Sequence, residues 1–206
     1  RNINAADMRA ATLDSLRAVM LIRAYRSNGH LLAALDPLAL EEPDLHPELD
    51  PASYGFGDDD WERPIFIDNV LGLETATLTE IITRLRQTYC GTIGVEFMHV
   101  QDPKQKAWIQ ERIESINNQT DFTLRGKSAI YERLVDADEF GKYLHKKFPG
   151  TKRFGLDGSE AVIPALEQIL KRGSQLGLRE VVVGMSHRGR LNILHNVLQK
   201  PFRALI

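Results

Sequence analysis

Cysteine is nearly missing from these 206 residues: Cys90 stands alone, so no internal disulfide can form. No Cys/His cluster has the paired spacing of a zinc site either. Aromatic residues are sparse, at 7%, too few for a platform on which bases stack, and the net charge of -2 lacks the basic excess that nucleic-acid binding draws on. No run approaches the roughly 18 apolar residues that span a bilayer. The opening "RNINAADMRAATLDSLRAVM" is charged throughout, which excludes a secretory signal. What remains is the expectation of a soluble globular protein of a reducing compartment, a cytoplasm or organelle lumen, partnered with neither nucleic acid nor membrane. Hydrophobic residues make up 43%, enough for an ordinary core.

Several chemical signatures are absent too. There is no GxGxxG and no P-loop spacing, and the serine of "SHR" lacks the flanking glycines of a nucleophile elbow. Glu96 and His99 form a single Glu-x-x-His pair, whereas a di-iron bundle needs two such pairs and two further glutamates. His30, His46, His145 and His195 are isolated and read as surface or packing histidines. The chain also starts on Arg1 rather than methionine and stops inside a new amphipathic segment, so a piece of a longer protein is expected.

What is there begins with a helix. Met8, Leu13, Leu16, Val19, Met20, Ile22 and Tyr25 recur at helical steps from Asp7 towards Leu40, and a second short helix follows His30. From Glu41 to Ala76 the character changes, with 11 acidic residues against the single basic Arg63, and four prolines. This acidic connector reads either as a solvated loop pinned by Tyr54, Phe56 and Trp61, or as a docking strip for a basic partner. Thr77 and Glu80 make a capping box for the next helix, and "GTIGVEFMHVQDP" then reads as a strand or buried turn. Helices are predicted at 103–116, 126–134, 136–148 and 159–172, the last started by Asp157 or Ser159 and punctuated by Gly173 and Gly177. The β-branched run "EVVVGM" has the pattern of a strand buried on both faces of a parallel sheet.

Two loops stand out for chemistry. "VVVGMSHRGRLNILHNVL" places His187, Arg188 and Arg190 at a join between expected strand and expected helix. Basic groups in a first helical turn face the positive end of the dipole, so an anion such as a diphosphate or carboxylate would suit that position, with Ser186 as the cap. The alternative is a packed loop histidine beside ordinary ion pairs. "TKRFGLDGSEAV" sets Lys152 and Arg153 beside Phe154 and two glycines, and reads by itself as a plain helix start.

Four stretches, "YGFGDDDWERPIFIDNVLG", "TYCGTIGVEFMHVQDPKQKAWIQERIE", "FPGTKRFGLDGSEAVIPALEQIL" and "EVVVGMSHRGRLNILHNVLQKP", resemble in that order the E1 components of 2-oxoglutarate dehydrogenase. The resemblance covers nearly the whole chain, and the sister family acting on 2-oxoadipate is its close competitor. It implies an N-terminal piece of a homodimeric enzyme that uses thiamine diphosphate and Mg²⁺ to decarboxylate 2-oxoglutarate. The succinyl group then passes to a lipoyl-bearing dihydrolipoyl succinyltransferase, in a complex with dihydrolipoyl dehydrogenase. His187 matches the histidine of the family's HRGR motif, near cofactor and substrate. Arg188 matches the arginine that faces the diphosphate, and Phe154 a phenylalanine lining the same pocket. The Mg²⁺ ligands and a second active-centre histidine belong to later motifs, so the metal has no ligand in this chain and the chain alone is expected to be inactive.

The implied fold class is α/β overall, a mostly helical N-terminal part leading into the first units of a parallel-sheet thiamine diphosphate-binding domain. Residues 1–76 would be helix plus acidic connector, 77–150 a helical region, and 151–206 the start of that domain, in a bacterial cytoplasm or a mitochondrial matrix. A different class, a non-catalytic helical docking module using the acidic strip around Glu41 to Glu62, is the remaining alternative.

Overall fold

The computed structural model describes residues 4–40 and 43–205. The chain divides into two compact units, Arg1–Thr120 and Asp121–Ile206, each built around its own apolar core.

In the first unit, α1 (Ala5–Asn28) begins where the Asn4 side chain accepts from the Ala6 amide at 2.9 Å. Ala18, Leu21, Ile22 and Tyr25 turn its buried face to the core. Of the apolar residues that mark this helix in sequence, Met8, Leu13, Leu16, Val19 and Met20 stay between 40% and 57% exposed. The helix is apolar over more than one stripe, and its own unit covers one of them. A single 3₁₀ turn, Gly29–Leu32, follows. Thr77 and Glu80 form the expected reciprocal cap of α2 (Leu78–Tyr89): the Glu80 amide donates to Thr77 Oγ1 at 3.2 Å and the Thr77 amide to Glu80 Oε2 at 2.8 Å. Helix α3 (Pro103–Glu114) starts with Asp102 accepting from the Lys104 amide at 2.8 Å and Pro103 in the first turn. The stretch before it, 91–100, forms turns and no strand.

The acidic connector keeps most of its acids exposed and is pinned to this core by apolar residues, Phe56 and Tyr54 among them as expected. Leu49, Phe56, Ile65, Ile67 and Leu71 are buried against α1 and α2, while Trp61 remains 38% exposed. Its β1 (Ile65–Phe66) pairs antiparallel with β2 (Thr75–Ala76), Ile65 opposite Ala76. Asp60 accepts from the Gly57 amide at 2.8 Å and pairs with Arg63, which also reaches Asp14 at 2.8 Å. Short 3₁₀ turns carry the chain through this stretch, with Asp50 accepting from the Ala52 amide at 3.0 Å, while most of the acids stay exposed. Glu41 and Glu42, at the start of the strip, lie outside the described residues.

In the second unit, α4 (Leu124–Lys147) is one continuous helix where the sequence suggested two. The residues around Val135 and Asp136 have adequate helical propensity and include neither proline nor glycine, so nothing stops the winding. Helix α5 (Val162–Gln175) starts three residues later than expected, after Ala161, and neither Asp157 nor Ser159 caps it. Its end does follow the glycine signal. Gly177 sits at φ 94°, with Leu178 N donating to Gly173 O at 2.9 Å and Gly177 N to Ser174 O at 3.2 Å. Ala137, Leu156, Ile163 and Ile193 form the buried core.

The expected strand "EVVVGM" is not one. Residues 178–186 carry no regular structure, and Val182 is 96% exposed. The β1–β2 pair is the sheet found among the described residues, and it is antiparallel. A strand exists through hydrogen bonds to a neighbour, and no partner run pairs with this one.

Candidate functional site

The "KRFGL" loop leaves the C-terminal end of α4. Arg153 Nη1 donates to Phe148 O at 2.6 Å, satisfying one of the carbonyls a helix end leaves open. Its Nη2 lies 2.6 Å from His145 Nδ1; a guanidinium only donates, so that ring nitrogen is the acceptor. Phe154 follows with φ at 49°, an unusual conformation for a bulky residue. It aims the Phe154 carbonyl at the second loop, where Gly189 N donates to it at 2.7 Å.

That bond brings "KRFGL" and "SHRGR" together. The His187 ring lies 4.3 Å from the Phe154 ring, tilted by 48°, and Arg190 Cζ sits 5.5 Å from the same ring centroid. Arg188 Nη2 donates to Asp157 O at 2.7 Å, a second tie between the loops. The three residues marked by the family resemblance are therefore neighbours, with Phe154 at the centre. His187, Arg188 and Arg190 are exposed. Among the described residues none of the ion pairs involves Arg188 or Arg190; the unit's salt bridges belong to Arg133 and Lys142.

The helix after the join differs from the expectation. It starts at Arg190 rather than near Arg188, and its cap is Gly189 at φ 70° rather than Ser186. Only Arg190–Asn192 (α6) is α-helical before the chain widens into a π turn, Ile193–Val197. So short a segment sums few peptide dipoles. The positive charge of this turn comes instead from two guanidinium groups for which no ion pair is found among the described residues.

Beside this cluster is a cleft of about 460 Å³ lined by Phe140, Leu144, His145, Arg153, Phe154 and Asn192, among others. Phe154 is shared between cleft and cluster, whereas His187 and Arg188 lie outside its lining. Gly189 and Asn192 had escaped sequence reasoning. The signal was present for both: a glycine between two arginines, and an asparagine pair, Asn192 and Asn196, one helical turn apart in a stretch apolar but for His195.

Of the remaining histidines, His195 and His46 serve packing and capping, while His30 has its Nδ1 buried without a hydrogen-bond partner and His99 is exposed. His195 stacks on Phe140 at 4.7 Å and 15°, and His46 Nδ1 accepts from the Glu48 amide at 3.3 Å. Glu96 faces His30 Nε2 at 3.7 Å, and the segment carrying Glu96 and His99 is not helical, so their spacing places them on no common face. Among the described residues no group of three His, Cys, Asp or Glu is placed to hold a metal ion, and no helix is long and apolar enough to cross a membrane.

The donor set at this turn suits a diphosphate. Arg188 spends one N–H on Asp157 O and retains the rest of its five. Arg190 rests on an aromatic face rather than on an acid. An exposed, partly unpaired basic turn held rigidly by backbone bonds fits an anionic group.

No family model matches the chain. Among curated proteins it is similar to the 2-oxoglutarate dehydrogenase E1 components of Brucella canis (strain ATCC 23365 / NCTC 10854 / RM-666), Brucella suis (strain ATCC 23445 / NCTC 10510) and Brucella abortus (strain S19). Each is 57% identical over 204 residues, covering 98% of this chain and 20% of the relative. The chain thus spans about a fifth of the length of the curated relatives it matches.

Proposed function

Because the chain belongs to the family of 2-oxoglutarate dehydrogenase E1 components, we propose that it is part of a thiamine diphosphate-dependent subunit that oxidatively decarboxylates 2-oxoglutarate. On this reading the whole protein is a homodimer of a bacterial cytoplasm or mitochondrial matrix. It passes the succinyl group to a lipoyl-bearing succinyltransferase, in a complex that includes dihydrolipoyl dehydrogenase. The observation that carries the assignment of the site is the meeting of two loops, Gly189 N on Phe154 O at 2.7 Å, with His187 and Arg190 on the Phe154 ring.

Thiamine diphosphate, when bound, supplies the electron sink for loss of CO₂ from a 2-oxo acid. Arg188 would hold a diphosphate oxygen with the N–H groups that Asp157 leaves free, in the charge-assisted geometry guanidinium groups favour. His187 donates a hydrogen bond to the keto or carboxylate oxygen of the substrate, and an imidazole placed there is the side chain that general acid–base catalysis uses most often. Phe154 forms an apolar wall that keeps water from the reacting atoms. The Mg²⁺ that accompanies the diphosphate takes its ligands from elsewhere in the longer protein. Residues 178–186, exposed here, become a strand of a parallel sheet once the other strands are present, and 151–206 opens the domain that grips the cofactor.

The test is a decarboxylation assay on the full-length protein with an artificial electron acceptor, offering 2-oxoglutarate and 2-oxoadipate in parallel. The wild type turns over 2-oxoglutarate preferentially, and His187→Ala lowers kcat by roughly 10²–10⁴-fold. Preference for 2-oxoadipate would transfer the chain to the sister activity, and no turnover of either acid by the folded, cofactor-loaded protein would overturn the reading. The 206-residue chain alone, which lacks the later motifs, is expected to show no turnover in the same assay.

A further inference from the structure

Behind the basic turn, two amides are buried where apolar side chains would be the simpler choice. Asn192 is 5% exposed and Asn196 is 9% exposed, on a segment whose neighbours Ile193 and Val197 pack into the core of the second unit. Asparagine is a poor interior helix residue, and a buried amide is tolerated only when its polar atoms are satisfied. Here they are. Asn192 Nδ2 donates to Ala137 O at 2.8 Å, and Asn192 Oδ1 accepts from Asn196 Nδ2 at 2.6 Å.

The Ala137 carbonyl lies inside α4, where its first lone pair serves the helix and a second remains for a side chain. Since that carbonyl can only accept, the orientation of the Asn192 amide is fixed, and the Asn196 donor completes it. The turn carrying Asn196 is widened to a π-helix, Leu198 N donating to Ile193 O at 3.0 Å, a distortion found often at functional sites. The other end of the segment is pinned by Gly189 N on Phe154 O. Apolar contact around Ile193 is non-directional and would permit a slide or rotation along α4. A hydrogen bond to one particular carbonyl does not.

We propose that Asn192 is a positioning residue: its amide, backed by Asn196, locks residues 189–197 in one register on α4 and so fixes where His187 and Arg188 stand relative to Phe154. The proposal rests on the reading of this site given above. Asn192 touches no reacting group; it acts through the turn that precedes it.

Asn192→Asp in the full-length enzyme gives the test. At pH 8 the introduced carboxylate has no proton to donate and sets an anionic oxygen against the Ala137 carbonyl. As the pH falls, burial favours the neutral acid, whose O–H restores the donor and whose other oxygen accepts from Asn196. We expect kcat/KM about tenfold below wild type at pH 8. By pH 6 it should recover to within about twofold of the wild type at the same pH, as the neutral acid takes over. Amide-exchange protection of residues 187–197, referred to wild type at each pH, should follow the same course. A loss of kcat/KM by the same factor at every pH, or unchanged kcat/KM, would overturn the proposal.

If the variant does not fold, Asn196→Ala replaces it, with an expected loss of about threefold in kcat/KM and faster exchange over the same residues. Unchanged values would overturn the proposal equally. A wild type without turnover refutes the functional reading alone, because exchange in the variants still decides whether Asn192 pins the turn.

Discussion

Gly189 has no room for a side chain. Its φ of 70° suits glycine, and a Cβ there would come to 2.5 Å from Leu156 Cδ1, a buried residue of the unit's core. Gly189→Ala is therefore expected to lower stability by about 1–3 kcal/mol and to loosen the bond to Phe154 O, measured as a shift of the urea midpoint of the full-length protein. At the same scale, the first unit buries a charged network. Arg26 Nε and Nη2 meet the Glu114 carboxylate at 2.7 Å and 3.0 Å, and Tyr89 Oη donates to Glu114 Oε1 at 2.6 Å. Burial, reinforced by the adjacent carboxylate, drives the Tyr89 phenol well above its ordinary 10.0. Burial works against the Arg26 charge, but Glu114 overcomes it and holds the guanidinium protonated. Below the ordinary tyrosine pKa the phenol is neutral in both folded and unfolded chains, so its contribution to stability is complete there. Above it the unfolded chain releases the proton first, and the contribution is lost as the pH rises towards the folded value. Tyrosinate absorbance should show Tyr89 silent until the protein unfolds in alkali; ionisation of all five tyrosines in step near pH 10 in the folded state would contradict this.

Helix caps are the clearest link from local sequence to element. Thr77 and Glu80 close their box as spacing predicts, since both partners lie within one turn and need nothing from the rest of the chain. Thr77→Ala should cost about 1 kcal/mol, read from thermal or chemical denaturation, with α2 still formed because Leu78, Ile81 and Leu85 stay buried. Where the sequence misled, the missing term was non-local. Val181–Val183 have strand propensity, but a strand needs a neighbour, and these residues stay exposed. The helix after "SHRGR" starts late because Gly189 must adopt a left-handed conformation to reach Phe154, a constraint imposed from 35 residues away along the chain.

As a molecule, the chain holds two cores of unequal size. Seventeen buried residues form the cluster of the first unit and four that of the second, among the described residues. The second unit also exposes Leu176, Leu178, Val181, Val182, Val183 and Met185 in one short stretch. An apolar run with free backbone groups is a template for association. The 206-residue chain is therefore expected to self-associate in sedimentation, and charged substitutions at Val181 and Val183 should reduce that association. A monomer independent of concentration would contradict it.

The sequence by itself determined the helices with strong periodicity or caps, the glycine stop after α5, and the residues of both site loops, because each depends on neighbours within a turn or two. It also carried the family, through long motifs in a fixed order. Only the tertiary structure decided that Leu49, Ile65, Ile67 and Leu71 of the acidic connector join a core, that Phe154 stands between His187 and Arg190, and that Asn192 is spent on an α4 carbonyl. Those outcomes depend on which distant groups satisfy a buried polar atom or cover an apolar face, a condition that no local pattern encodes.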